Sequence, residues 1–277
     1  MNAIELKDVT KKYKKFQLDH LNLILPAGCI LGLIGENGAG KSTTIKLLLD
    51  MIQGDGGTIT LLGQEHTKCD KEDIGVVMDE VNFPDCLTVK NVGSIMKDVY
   101  RNWQQDKFEE LVEKLDLPMK QPFKEFSRGM KMKLGIAVAL SHQAKLLILD
   151  EATGGLDPVV RDEVLDLLLD FTREENHSIL MSSHIVSDLE KVCDYIAFLK
   201  KGRLLLCEEK DMLYEQYGMV RCTAEDMKVF AEDAVIGKRE SAYGVEAIVK
   251  KDRIPAGWAT SPVNIEELFV LMAKEGR

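Results

Sequence analysis

Nine residues, Gly35–Thr43, read GENGAGKST and stand between the apolar run CILGLIG and the helical pattern STTIKLLLDMI. A buried strand that turns sharply through glycines into a helix is the opening unit of an α/β domain. Gly38 and Gly40 let the loop direct its backbone N–H groups inward. Together with the N-terminus of the following helix, these donors make a nest for an anion. The full pattern, G-x-x-x-x-G-K-[ST], spans Gly35, Glu36, Asn37, Gly38, Ala39, Gly40, Lys41 and Ser42, and Thr43 follows it. Lys41 supplies a point charge suited to β- and γ-phosphates, and the Ser42 hydroxyl suits Mg²⁺.

A second run, KLLILDE at Lys145–Glu151, places four apolar residues before two acids. A buried parallel strand delivers its last carboxylate, Asp150, toward the loop, where it suits the Mg²⁺ shell. Glu151, one step on, is then the natural general base for an attacking water. A third apolar strand, SILM, runs into SSH, so His184 is expected at the same edge, within reach of a γ-phosphate. GGLDP at Gly154–Pro158 reads as a turn into a helix with Pro158 at its first position.

With 277 residues, 30% charged and 45% hydrophobic, the composition is that of a globular chain with room for one large domain or two modest ones. The net charge of -10 argues against a protein that coats nucleic acid, because such binding relies on neutralising phosphates. The six cysteines form no C-x-x-C pair, which points to free thiols in a reducing compartment and no metal site. The opening MNAIELKDVTKKYKK has no apolar core of a signal peptide, and no run reaches membrane-spanning length. A cytoplasmic chain is expected, unless something else holds it at a membrane.

Residues 1 to 30 read as paired strands, and 54 to 63 and 73 to 78 as further short strands. Helical patterns occupy about Thr88 to Leu115 and Arg128 to Ser141, as an insertion in the α/β core. The core resumes at KLLILDE, continues through a helix from Pro158 to Glu174, SILMSS and IVSDLEKVC, and closes with DYIAFLKKGRLLL. Beyond about Asp211, MVRCT, AEDMKVFAED, GVEAIVKK and NIEELFVLMAKE suggest a small α+β appendage.

Taken in order over about residues 3 to 210, these motifs resemble those of the ATP-binding cassette (ABC) ATPases. GENGAGKS looks like the Walker A loop, LLILDE the Walker B strand, GLD with Asp157 the D-loop, and His184 the switch histidine. Tyr13 in KKYKK matches the aromatic that stacks on adenine, and FSRGM falls where the family has its LSGGQ signature. The resemblance implies a P-loop, RecA-like core with an antiparallel β subdomain and a helical insertion at about 84 to 141, forming one ATPase domain over 1 to 210, with an appendage at 211 to 277. ATP and Mg²⁺ are the implied cofactors. It also implies that two cassettes meet head to tail, so that Ser127, Arg128, Gly129 and Met130 would contact nucleotide held by a second cassette. Two departures stand out. Asp79, followed by Glu80, occupies the place of a Gln near Mg²⁺, and Arg128 and Met130 replace a Gly and a Gln of the signature.

The SRGMK signature and the ending NIEELFVLMAKEGR look most like ATP-binding subunits of small ABC-2 type exporters. Their membrane subunit is a separate chain that docks a short helix near Asp79 to Val89. The implied cargo is a drug, an antimicrobial or toxin peptide, or a lipid, and the implied place is the inner face of the membrane. The alternatives are a soluble ABC protein of translation or DNA maintenance, and a phosphate-loop kinase. The first normally carries two cassettes or a long coiled coil, and the second has no use for the signature or His184.

Overall fold

The computed structural model describes residues 1–242 and 244–275. Two compact units divide the chain, Met1–Cys207 and Glu208–Arg277.

The first unit opens with β1 (Asn2–Lys12) and β2 (Gln17–Pro26), an antiparallel pair. Burial alternates strictly along most of β2, as a strand with one face on a core requires. Next come β3 (Ile30–Gly35), buried along its whole length, and α1 (Lys41–Leu48). The sequence pattern extends this helix to Ile52, but it ends sooner, and Asp50 takes a φ of 57° that turns the chain away. β4 (Gly56–Leu61) and β5 (Gln64–Glu65) complete a four-stranded antiparallel sheet in the order β2-β1-β4-β5. β6 (Ile74–Val77) then joins the second sheet.

The helical insertion consists of α2 (Val89–Val99), α3 (Gln105–Lys114) and α4 (Arg128–Ala139). Thr88 and Asn91 exchange the two hydrogen bonds of a capping box at the start of α2. Gly93 of α2 leaves no room for a side chain, since an added Cβ would lie 2.7 Å from the Phe108 ring of α3. Ser127 starts α4 by accepting the Met130 N–H at 3.2 Å.

The core resumes with β7 (Leu146–Asp150), α5 (Pro158–Phe171), β8 (Ser178–Ser182), α6 (Val186–Val192), β9 (Tyr195–Lys200) and β10 (Arg203–Glu209). The six-stranded sheet runs β10-β9-β3-β8-β7-β6, and the pairs β3/β9, β3/β8, β8/β7 and β7/β6 are parallel. β7 and β8, like β3, are buried at every residue, which is why each reads as an unbroken apolar run. One continuous hydrophobic cluster joins the antiparallel sheet, α1 and the buried strands, with Leu6, Leu23, Ile45, Ile148 and Leu180 among its members.

The second unit contains α7 (Lys210–Gln216), β11 (Tyr217–Cys222), β12 (Val235–Ser241), β13 (Gly244–Lys250) and α8 (Ile265–Glu275). Its antiparallel sheet has the order β11-β13-β12. The segments read as α+β from sequence did not include β12. That strand lies at an edge, and its Lys238, Arg239 and Glu240 are exposed, so it carries charge where a central strand carries apolar residues. AEDMKVFAED yields two short 3₁₀ turns.

His142, just after α4, illustrates how the insertion is tied to the core. It is 1% exposed, its ring stacks on Tyr100 at 4.0 Å, and its Nδ1–H donates to the Glu72 carbonyl at 3.1 Å. Its Nε2 is buried without a hydrogen-bond partner among the described residues. Burial pushes the imidazole below its ordinary value of 6.5. Below that pH the unfolded chain binds the proton and the folded chain resists it. The stability contributed by neutral His142 is therefore fully present above 6.5 and is lost as the pH falls toward the depressed folded value. Urea unfolding between pH 7.5 and 5 should show stability falling with acidification, and His142→Gln should show a smaller fall. Identical pH slopes for the two proteins would remove His142 from this role.

Candidate active site

Parallel pairing aligns three strand ends in space. Leu33 of β3 stands opposite Ser182 of β8, and Ser182 stands opposite Asp150 of β7. The loop after β3 and the turns after β7 and β8 consequently open on one edge of the sheet, where ligands of such sheets bind.

The Gly35–Thr43 loop turns through two left-handed glycines, Gly38 at φ 81° and Gly40 at φ 117°. Gly40 is also packed tightly, because an added Cβ would lie 2.9 Å from the Phe16 ring. No side chain caps α1, whose N-cap is Gly40, so its first-turn donors remain available to an anion. Lys41 is 6% exposed, and its Nζ donates to the Gly35 carbonyl at 2.7 Å, folding the ammonium back over the loop. Gly35 and Ala39 are buried beneath the loop, whereas Glu36, Asn37, Gly38 and Ser42 are exposed.

Glu151 follows β7 in the left-handed region, at φ 54°, which costs a non-glycine residue about 1 kcal/mol. Its N–H donates to the Ser182 carbonyl at 3.1 Å, and its carbonyl accepts from Gly154 N–H at 3.0 Å, so both sides of the strained residue are held. The carboxylate lies 3.6 Å from Lys41 Nζ through Oε1. Through Oε2 it accepts from the His184 N–H at 3.1 Å and from His184 Nδ1 at 2.5 Å. A carboxylate only accepts, so Nδ1 carries the hydrogen in this contact, and His184 would need a second proton to donate to a phosphate through Nε2.

These groups border a cleft of about 810 Å³ that is also lined by Tyr13, Asp79 and Arg128. Tyr13 is 48% exposed, leans on Phe16 with ring centres 6.3 Å apart, and lies under Lys11 at 5.7 Å. Its ring is free to take a flat base. Arg128 reaches into the cleft from the start of α4 and binds Asp79 Oδ1 at 2.5 Å.

This chain matches the sequence profile of the family described as ABC transporter over residues 18–154. It is 30% identical to the ABC transporter ATP-binding protein YtrB of Bacillus subtilis (strain 168), over 96% of this chain and 97% of that protein. The chain belongs to the ABC transporter ATP-binding proteins. It is also 38% identical to the bacitracin transport ATP-binding protein BcrA of Bacillus licheniformis, over 73% of this chain and 68% of that protein. A solved structure of an ATP-binding subunit of an ABC transporter superimposes with a TM-score of 0.70 at 25% identity, over 76% of this chain and 91% of that one.

In this ABC cassette the cleft takes in Tyr13, Glu36, Asn37, Gly38, Gly40, Lys41, Ser42, Thr43, Asp79, Arg128, Glu151 and His184. Ser127, Gly129 and Met130 lie at the α4 start and do not line it. Asp157 does not line it either, and its carboxylate caps α5 by accepting Val159 and Val160 N–H at 3.2 and 3.1 Å. Such a cap is worth about 1 kcal/mol. Asp79 is held by Arg128, so the metal role suggested for it would need that pair to open.

The donors present fit Mg²⁺. Asp150 is 2% exposed at the end of β7, and Ser42 is exposed and lines the cleft. Among the described residues no cluster of three or more His, Cys, Asp or Glu forms a metal cage. A hydroxyl and one carboxylate suit a hard cation that brings most of its shell as water and phosphate oxygens.

Sequence reasoning passed over Lys15 and Phe16, which line the cleft beside Tyr13, and Ser182. The Ser182 hydroxyl donates to Asp150 Oδ1 at 2.5 Å and accepts the Glu151 N–H at 3.2 Å. One buried hydroxyl thus orients the Asp150 carboxylate and holds the Glu151 backbone. The available signal was that SILMSS ends level with KLLILD in adjacent parallel strands. Ser182→Ala should cost about 1.5 to 3 kcal/mol of stability, as expected for a buried hydrogen bond to a charged group. It should lower ATP turnover by about tenfold or more while leaving nucleotide affinity near the parent value, read by steady-state hydrolysis beside equilibrium binding.

Proposed function

We propose that this cassette hydrolyses ATP between two copies or sister chains and so powers export through a separately encoded membrane subunit. The observation that carries this reading is the convergence of Lys41, Glu151 and His184 within 3.6 Å contacts at the cleft of the phosphate loop. Tyr13 stacks on adenine, while the loop N–H groups and Lys41 hold the β- and γ-phosphates. Ser42 and Asp150 would hold Mg²⁺, which would supply positive charge for the phosphates when bound.

Glu151 accepts the proton of the attacking water. Its present ties to Lys41 and His184 hold the carboxylate at the loop, and the held backbone keeps it from swinging away. Ser127 and Gly129 start a helix and do not line the chain's own nucleotide cleft, which suits the γ-phosphate of a second cassette. Asp157 belongs to this shared edge through the turn it shapes before α5. ATP then holds the two cassettes together and hydrolysis lets them part.

Among the described residues no helix is long and apolar enough to cross a membrane, which is consistent with work passed to another chain. A groove of about 330 Å³ bordered by Asp79, Glu80, Val81, Phe126, Lys131 and Met132 offers a seat for a short helix of that partner. The cassette would then lie on the inner face of the membrane. The likeness to a bacitracin transport protein favours an amphipathic or peptide cargo.

Glu151→Gln should bind ATP with near-parent affinity, accumulate as a nucleotide-bound dimer in size-exclusion chromatography, and hydrolyse at least about a hundredfold more slowly. Hydrolysis at the parent rate would displace Glu151 as the base. Tagged protein extracted from membranes should carry a polytopic partner that changes its ATPase rate. Recovery with ribosomes or DNA and no membrane protein would overturn the export reading.

A further inference from the structure

Arg128 stands apart from its neighbours in the signature stretch. Ser127, Gly129 and Met130 do not line the chain's own nucleotide cleft, but Arg128 does, and it ends on Asp79 of the same chain. Its side chain crosses the Gly154–Gly155 turn, where a Cβ at Gly155 would lie 3.3 Å from Arg128 Cδ. A Cβ at Gly154 would lie 3.9 Å from an Arg128 terminal nitrogen and 3.8 Å from His184 Cε1. The guanidinium and the His184 ring therefore flank one glycine, and His184 touches Glu151, which faces Lys41. That cluster surrounds the γ-phosphate in the ATP-binding reading, on which this inference rests.

We propose that Arg128 serves the nucleotide of its own chain, and that its pair with Asp79 exchanges for the γ-phosphate, so that the single cassette distinguishes ATP from ADP. The two side chains are 62% and 50% exposed, so water screens their attraction and the pair is held weakly. A terminal phosphate carries nearly two charges on three acceptor oxygens, and the planar guanidinium fork matches that geometry. It outcompetes a single solvated carboxylate, whereas ADP has no group at that position to do so. Breaking the pair also removes one tie between α4 and the segment after β6, because Arg128 is the first residue of α4 and Asp79 lies two residues beyond β6.

The test is equilibrium binding of fluorescent N-methylanthraniloyl ATP and ADP in EDTA, at concentrations where sedimentation shows a monomer. Arg128→Gln should weaken ATP analogue binding by about tenfold and leave that of the ADP analogue unchanged, as for loss of one charge-assisted contact. Asp79→Asn should do the opposite, tightening the ATP analogue by about threefold, and the double variant should behave as Arg128→Gln. Arg128→Lys keeps charge without the fork and should fall between parent and Gln, which separates phosphate recognition from folding damage. An unchanged ATP to ADP ratio in Arg128→Gln would overturn the proposal. So would weakening confined to concentrations at which the cassette dimerises, since that would assign Arg128 to the partner's nucleotide. If the unsubstituted chain bound neither nucleotide, the ATP-binding reading would fall as well.

Discussion

Parallel pairing of β3, β8 and β7 is the constraint on which the rest of the molecule depends. Because Leu33, Ser182 and Asp150 lie level across the three strands, their turns emerge together. A loop, two acids and a histidine spread in sequence from Gly35 to His184 then share one edge. Burial on both faces keeps these strands from slipping, since a shift of one residue would move Asp150 into the apolar interior. The strained backbone of Glu151 is tolerated because Ser182 and Gly154 secure it from both sides.

The cleft balances its charges in adjacent pairs. Lys41 faces Glu151, Glu151 accepts from His184, and Arg128 holds Asp79. Arg128 and Asp79 are open to water, so their pair can be exchanged for a phosphate oxygen without the penalty of stranding a buried charge, whereas Lys41 is buried. Deep groups play another part. Asp150 stays fixed by Ser182, and Asp188, whose carboxyl burial pushes up, packs near Arg161 of α5 at 3.8 Å.

Much of this is legible in the sequence alone. The phosphate loop was visible because only glycine accepts φ of 81° and 117° next to an anion nest, so chemistry and backbone impose the same residues. The three buried strands were visible as unbroken apolar runs, and Ser127 and Asp157 carry the composition of helix starts. The end of α1 was misjudged, because its apolar pattern continues past Leu48 and only a left-handed residue at Asp50 stops it. β12 was missed because an edge strand rich in charge has no apolar period. Ser182 was overlooked because a serine between strand and histidine has no signature of its own.

The sequence by itself determined the class of chemistry, since a glycine loop, a lysine, two acids after a buried strand and a histidine each have a local reason that needs no partner. Tertiary structure alone decided how the charges are shared. Asp79 and Arg128 are 49 residues apart, and nothing local indicates that they meet, or that Arg128 turns into its own cleft while Ser127 and Gly129 do not. Local propensity acts over a few residues, whereas an ion pair depends on where two separate elements are held. That placement comes from the packing of the helical insertion on β6, which the buried side chains settle and no motif encodes.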